Sequence, residues 1–196
     1  PMIRIVAGEL GGRRLRTPPG LQTRPTSERV RAALFNILGP IRDGAVVWDL
    51  CAGSGALGIE ALSRGACRAV FVDQDAAACR VLRRNLQELG LLPRAQVIEL
   101  PLGRFLSSQQ RKAEHVDLLH ADPPYASDEI GRLLDFLSAH GSGRLSVGAK
   151  VVIETDVRNQ GELVAGARRG HLLCSDARRY GDTVLLFWEL TPIPAS

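Results

Sequence analysis

Cysteine is scarce and carries no pattern. The four in this 196-residue chain, Cys51, Cys67, Cys79 and Cys174, include no C-x-x-C spacing and have no histidine near them at ligand spacing. That argues against a zinc site or a disulfide framework and predicts reduced, structural thiols in a cytoplasmic protein. His115, His120, His140 and His171 are scattered as well, so no metal is expected. No apolar run approaches the roughly 20 residues of a membrane-spanning helix and no secretory leader opens the chain, so no membrane partner is expected. Lysine is nearly missing: Lys112 and Lys150 are the two among 25 basic residues.

What is present, 45% apolar and 23% charged residues with mean hydropathy near zero, describes one globular domain with room for a small appendage. A chain of this length buries about 70% of its unfolded surface, enough to fold without metal or disulfide. Charge is spread unevenly. Residues 1–42 hold Arg4, Arg13, Arg14, Arg16, Arg24, Arg29, Arg31 and Arg42 against Glu9 and Glu28, more than the whole net charge of +4, so the remainder is slightly acidic. Arginine's planar fork grips phosphate through two bonds and stacks on bases, which points to nucleic acid. A generally arginine-rich composition is the competing explanation.

Alternation at Ile3, Ile5 and Ala7, a turn across residues 8–12 and a return over 13–17 predict a hairpin. A proline-rich loop follows. Thr26 is then a good N-cap for a helix whose apolar stripe is Val30, Ala33, Leu34, Ile37 and Leu38, with Arg29 and Arg31 flanking it. The extension is expected to end near residue 42, leaving residues 43–196 as the main domain. There strands (45–50, 69–73, 96–100, 116–121, 150–154) alternate with helices running to Arg64, over 76–89 and through Ile130, Leu133, Leu134 and Leu137. Two extended runs, 170–177 and 183–190, finish the chain. Such alternation predicts a doubly wound α/β fold with a mostly parallel seven-stranded sheet and one antiparallel strand at its edge.

The first chemical motif is Asp49-Leu50-Cys51-Ala52-Gly53-Ser54-Gly55-Ala56-Leu57-Gly58, between a strand and a helix, with Asp73 twenty residues after Gly53. Gly53, Gly55 and Gly58 alone also satisfy a dinucleotide fingerprint. Asp49 shifts the reading. A carboxylate at the strand tip repels a pyrophosphate but welcomes a ligand with a cationic amine, such as S-adenosylmethionine, whose carboxylate can still use the helix N-terminus. Asp73 can accept both ribose hydroxyls. The second motif, Asp122-Pro123-Pro124-Tyr125, ends the fourth strand and is expected to face the same crevice. Asp122 and the Pro123 carbonyl supply two acceptors for the two hydrogens of an exocyclic amine, the prolines stiffen the turn, and Tyr125 offers a stacking face.

These residues resemble S-adenosylmethionine-dependent amino-methyltransferases. Ile5-Val6-Ala7-Gly8, Gly12-Arg13-Arg14-Leu15, Arg24-Pro25-Thr26, Arg29-Val30-Arg31, Ala33-Leu34-Phe35-Asn36-Ile37-Leu38, Glu60-Ala61-Leu62-Ser63-Arg64-Gly65-Ala66 and Tyr180-Gly181-Asp182-Thr183 narrow the match. Together they resemble the bacterial 16S ribosomal RNA guanine-N2 methyltransferase (RsmD-like) family over nearly the whole chain. The resemblance implies a Rossmann-like class I methyltransferase fold and methylation of a guanine N2 amine in 16S ribosomal RNA or an assembling small ribosomal subunit. It implies catalytic roles for Asp122, Pro123 and Tyr125 and cofactor contacts from Asp49, Gly53, Gly55, Gly58 and Asp73. RNA contacts fall to Arg13, Arg14, Arg16, Arg24, Arg29 and Arg31. One departure is Leu100-Pro101, where many such enzymes carry Asp or Asn to touch the adenine amine.

Other classes explain less. A DNA adenine-N6 methyltransferase would use the same acceptors, but this chain lacks the length for a DNA-recognition domain. A nicotinamide-dependent oxidoreductase leaves Asp49 and residues 122–125 without a task, and a non-catalytic RNA-binding module explains only the arginines. A monomer is the default expectation.

Overall fold

Alternating polarity over Met2–Arg4 (β1) and Arg14–Arg16 (β2) makes an antiparallel ribbon with a single buried residue on each strand. Ile3 and Leu15 are register partners facing the core, while Met2, Arg4, Arg14 and Arg16 face solvent. A computed structural model describes residues 2–18, 28–109, 115–124, 128–140, 143–158, 160–161 and 163–191. Thr26, the expected N-cap, Arg24 and Tyr125 lie outside the described residues. The hairpin turn needs its first glycine: Gly8 has φ 85°, and a Cβ there would stand 2.0 Å from the Ser63 carbonyl oxygen.

The chain divides into two compact units, residues 1–101 and 102–196. The first contains the hairpin and helix α1 (Glu28–Leu38), then β3 (Val46–Leu50), α2 (Ala56–Ser63), β4 (Arg68–Asp73), α3 (Ala76–Glu88) and β5 (Ala95–Glu99). Its three long strands run parallel in the order β5-β4-β3, with Trp48 paired to Val70 and Phe71 to Val97. β3 and β4 are buried almost end to end, as parallel strands covered on both faces must be. Helix α1 departs from expectation in its rotation. The buried side chains are Val30, Arg31, Leu34 and Phe35, and Ile37 is 42% exposed. The helix turns an arginine inward because a buried carboxylate, Glu60, waits for it.

The second unit comprises α4 (Leu102–Gln109), β6 (Val116–Ala121), α5 (Glu129–His140), β7 (Leu145–Asp156), the two-residue β8 (Arg168–Arg169), β9 (Leu172–Tyr180) and β10 (Thr183–Leu190). Strand order is β6-β7-β10-β9-β8, with β6 parallel to β7 and β10 antiparallel to both β7 and β9. Two expectations are corrected. Antiparallel pairing is not confined to one edge strand: β10 lies antiparallel between β7 and β9, and the edge strand β8 is antiparallel to β9. With β8 counted, the described strands outside the hairpin number eight rather than seven. Helix α4 was not expected, although Leu102, Phe105 and Leu106 recur at helical spacing and are all buried.

Candidate active site

The turn after β3 reverses the chain within a few residues by using left-handed backbone at Cys51 (φ 61°), Gly53 (φ 54°) and Gly55 (φ 77°). Cys51 is the single non-glycine residue with positive φ among the described residues. Such a conformation costs an L-residue about 1 kcal/mol and gathers where a site over-determines the backbone. Ala52 donates to the Val72 carbonyl at 3.0 Å and Gly55 to the Ala52 carbonyl at 2.7 Å, which stitches the turn to β4 and closes it.

The three glycines have different duties. A Cβ on Gly58 would lie 2.4 Å from the Phe71 ring, and one on Gly55 would lie 2.2 Å from Leu82 Cδ1, so Gly58 lets α2 pack closely on β4 and Gly55 lets the turn pack closely against α3. A Cβ on Gly53 would meet nothing within 4 Å. Gly53 is therefore where a ligand can approach the backbone of this turn.

Two carboxylates brace the turn, one at Gly58 and one at Gly53. Asp49, 2% exposed, accepts the Gly58 N–H at 2.9 Å through Oδ2, satisfying an amide in the first turn of α2. Asp73 accepts the Gly53 N–H at 2.7 Å through Oδ2 and the Asp75 N–H at 2.8 Å through Oδ1. Burial pushes the Asp73 carboxyl above the usual carboxylate range, against the pull of those two amide bonds. Beneath it, Cys79 donates to the Asp73 carbonyl at 3.6 Å, and burial holds its thiol up at about 11. Asp49 and Asp73 thus each hold one amide of the same turn, Asp49 at Gly58 and Asp73 at Gly53. Asp122, half-buried, and Pro123, buried, lie in the second unit directly after the C-terminal end of β6.

The basic residues of the first unit divide into two kinds. Arg13, Arg14, Arg16 and Arg29 are exposed. Arg31 is not available to RNA, and that expectation is corrected: its side chain is 0% exposed, Nη2 donates to the Arg4 carbonyl, and Nε lies 3.6 Å from Glu60 Oε2. Burial lowers the guanidinium's pKa, with Glu60 opposing the shift. Glu60 itself accepts the Val6 N–H at 2.7 Å and the Ala7 N–H at 2.9 Å, and takes the Arg64 Nε at 2.8 Å. Arg64 in turn stacks over the Phe35 ring, 4.6 Å from its centroid. One buried carboxylate therefore joins the hairpin, α1 and α2.

A family model described as conserved hypothetical protein 95 matches residues 3–189. The chain belongs to that family. A relative from Escherichia coli strain K12 named ribosomal RNA small subunit methyltransferase D is 36% identical over 80% of this chain and 76% of its own. One of the same name from Haemophilus influenzae is 34% identical over 79% of each chain. The solved structure of yhhF from Escherichia coli has a TM-score of 0.80 and 30% identity, covering 97% of this chain and 99% of that one. The fold is thus the Rossmann-like α/β fold of methyltransferases.

In this member of the conserved hypothetical protein 95 family, the four cysteines are free thiols. Among the described residues no group of three or more His, Cys, Asp or Glu side chains could hold a metal ion, and no helix is long and apolar enough to cross a membrane. Glu60 was missed as a structural centre, though a signal was there. A lone acid inside the apolar run Leu57-Gly58-Ile59-Glu60-Ala61-Leu62 is buried only if it is paired.

Proposed function

We propose that this protein transfers a methyl group from S-adenosylmethionine to the exocyclic N2 amine of a guanine in 16S ribosomal RNA, free or within an assembling small subunit, acting as a cytoplasmic monomer. The observation that carries the proposal is a turn held by two carboxylates, Asp49 at Gly58 and Asp73 at Gly53, with Gly53 the one glycine of the motif that opens to space. The names of the relatives support the substrate class. When bound, the cofactor supplies a methyl group already activated by its sulfonium.

The chain's own residues supply the rest. Asp73 accepts ribose hydroxyls, Asp49 favours a cationic amine, and Gly53 lets the ligand approach the backbone. Asp122 and the Pro123 carbonyl accept the two hydrogens of the guanine amine. That draws its lone pair out of the ring, orients it and stabilises positive charge developing on nitrogen. Asp122 or water takes the proton. Tyr125 provides the stacking face for the base. Residues 1–42 form the RNA-contacting part and residues 43–196 the catalytic part. Arg4 and Arg14 are register partners on the exposed face of the hairpin. Arg4 is paired with Glu28 at 3.6 Å, which leaves Arg14 as the member of that register pair turned to solvent for a polyanion.

Two measurements test the reading. S-adenosylhomocysteine is expected to raise the melting temperature in a concentration-dependent way while NAD does not. Labelled methyl from the cofactor is expected in 16S ribosomal RNA, free or protein-bound, and not in duplex DNA. Labelled DNA, or stabilisation by NAD, would overturn the proposal.

The raised Asp73 carboxyl adds a pH signature. Its ionised form is the acceptor for ribose. S-adenosylhomocysteine affinity is therefore expected to be flat at neutral pH and to fall on acidification, with a midpoint above the ordinary aspartate value of about 3.9. For the free protein the sign is opposite. A carboxyl raised by folding contributes stability below its unfolded value and loses it as pH rises through the folded one. Calorimetric titrations at stepped pH check this, and an Asp73→Asn variant should lack the acid limb.

A further inference from the structure

Helix α3 carries an arrangement that the proposed cofactor site does not use. Glu88, in its last turn, draws in two arginines from different elements. Arg84, four residues earlier, places Nε 2.9 Å from Glu88 Oε1, and Arg16 of β2 places Nη2 3.2 Å from the same oxygen. Arg16 Nε lies 3.3 Å from Oε1 and 3.4 Å from Oε2 as well. Two guanidiniums repel one another unless an anion sits between them, so this carboxylate occupies an anion position framed by two forks.

The framing is not an accident of two loose side chains. Asn85, 2% exposed, accepts the Arg16 N–H at 2.9 Å and donates to the Arg16 carbonyl at 3.0 Å, with a further bond to the Ser54 carbonyl at 3.1 Å. A buried amide thus fixes the backbone of Arg16 against α3. The three charged groups themselves stay open to solvent, with side-chain exposures of 50% for Arg16, 62% for Arg84 and 45% for Glu88. The two arginines hold the Glu88 carboxyl below its ordinary range, the direction expected for an anion in a cationic fork. Arg14, two residues along the same face of β2, and Arg80, one turn before Arg84, are also exposed.

We propose that Arg16 and Arg84 form a clamp for one backbone phosphate of the RNA, and that Glu88 holds the phosphate position in the RNA-free protein. The clamp rests on the reading of the N-terminal extension as an RNA contact, and it extends that contact from the hairpin onto α3. Exchange is inexpensive because an exposed ion pair contributes little to stability. A backbone phosphodiester carries the same single charge on two non-bridging oxygens, which the two forks can share as they share the carboxylate. Glu88 keeps the arginines oriented until it is displaced.

The test is binding of protein-free 16S ribosomal RNA to the full chain, measured from about 50 to 200 mM salt, where each phosphate contact contributes about 0.7–0.9 to the slope. Arg84→Ala is expected to weaken binding several-fold and to lower the salt slope by about one contact. Glu88→Gln is expected to tighten binding about two- to five-fold, the range of a released surface pair. Adding Arg84→Ala to Glu88→Gln should abolish that gain. Glu99→Gln, which frees Arg83 instead, is the control for net charge. If it tightens binding as much as Glu88→Gln, the clamp is overturned. Loss of affinity in Arg14→Ala but not in Arg84→Ala overturns the clamp alone. No effect of either overturns the RNA reading with it. All these side chains are exposed, so unchanged melting temperatures are expected throughout.

Discussion

Asp122→Ala is expected to bind S-adenosylhomocysteine as the parent does and to lose methyl transfer by about 10²–10³-fold in a single-turnover assay. The expectation comes from position and chemistry together. Asp122 is the first residue beyond β6, half-buried, and is followed by buried Pro123, whose ring fixes the local backbone so that carboxylate and carbonyl point in set directions. A guanine amine is a poor nucleophile because its lone pair is delocalised. Two acceptors on its hydrogens draw the pair out and stabilise the charge that develops only in the transition state. An interaction of that kind appears in the rate and not in ligand affinity. Asp122→Asn, which keeps an acceptor but surrenders the charge, should fall between the parent and alanine. An alanine variant with unimpaired single-turnover transfer would show that Asp122 has no part in the chemistry.

Glu60→Ala is expected to produce the largest loss of stability in the first unit, about 3–5 kcal/mol, read as a melting temperature lower by roughly 10 °C or more. Removing this carboxylate strands Arg31, whose side chain has 0% exposure, and takes the acceptor from the Val6 and Ala7 amides. The cost is that of leaving a buried charge uncompensated, not the worth of the pair. The double variant Glu60→Gln, Arg31→Met should therefore recover part of what Glu60→Gln alone loses, because an apolar side chain needs no partner. If the single variants are as stable as the parent, the network contributes nothing. The same network makes truncation of the hairpin a poor probe of RNA binding. It would remove partners of Glu60 along with the arginines, which is why substitutions at exposed arginines are preferred.

Much of the fold was legible, for reasons visible at individual residues. The turn from Asp49 to Gly58 could be read because left-handed backbone and close packing admit so few residue types. The parallel strands were marked by their apolar runs and the crossover helices by their spacing. The final pair of extended runs is legible as strands with antiparallel pairing, but the sequence does not say which of them has neighbours on both sides, because an apolar run reports covered faces and not strand order. Helix α4 was overlooked because only three apolar residues mark it.

By itself, the sequence determined the element order, the glycine turn with its two acids, the Asp-Pro-Pro motif and the excess of arginine at one end. These are local properties, set by backbone sterics, periodicity and composition. The tertiary structure alone decided what each charge is for. Arg31 and Arg16 look alike in a string of basic residues, yet one is sealed against Glu60, 29 positions away, and the other lies open beside Glu88, 72 positions away. Whether an arginine meets phosphate or holds a helix depends on which carboxylate folding brings to it and whether water can reach the pair. Residue type cannot convey that, because the energy of a charge is set by its surroundings.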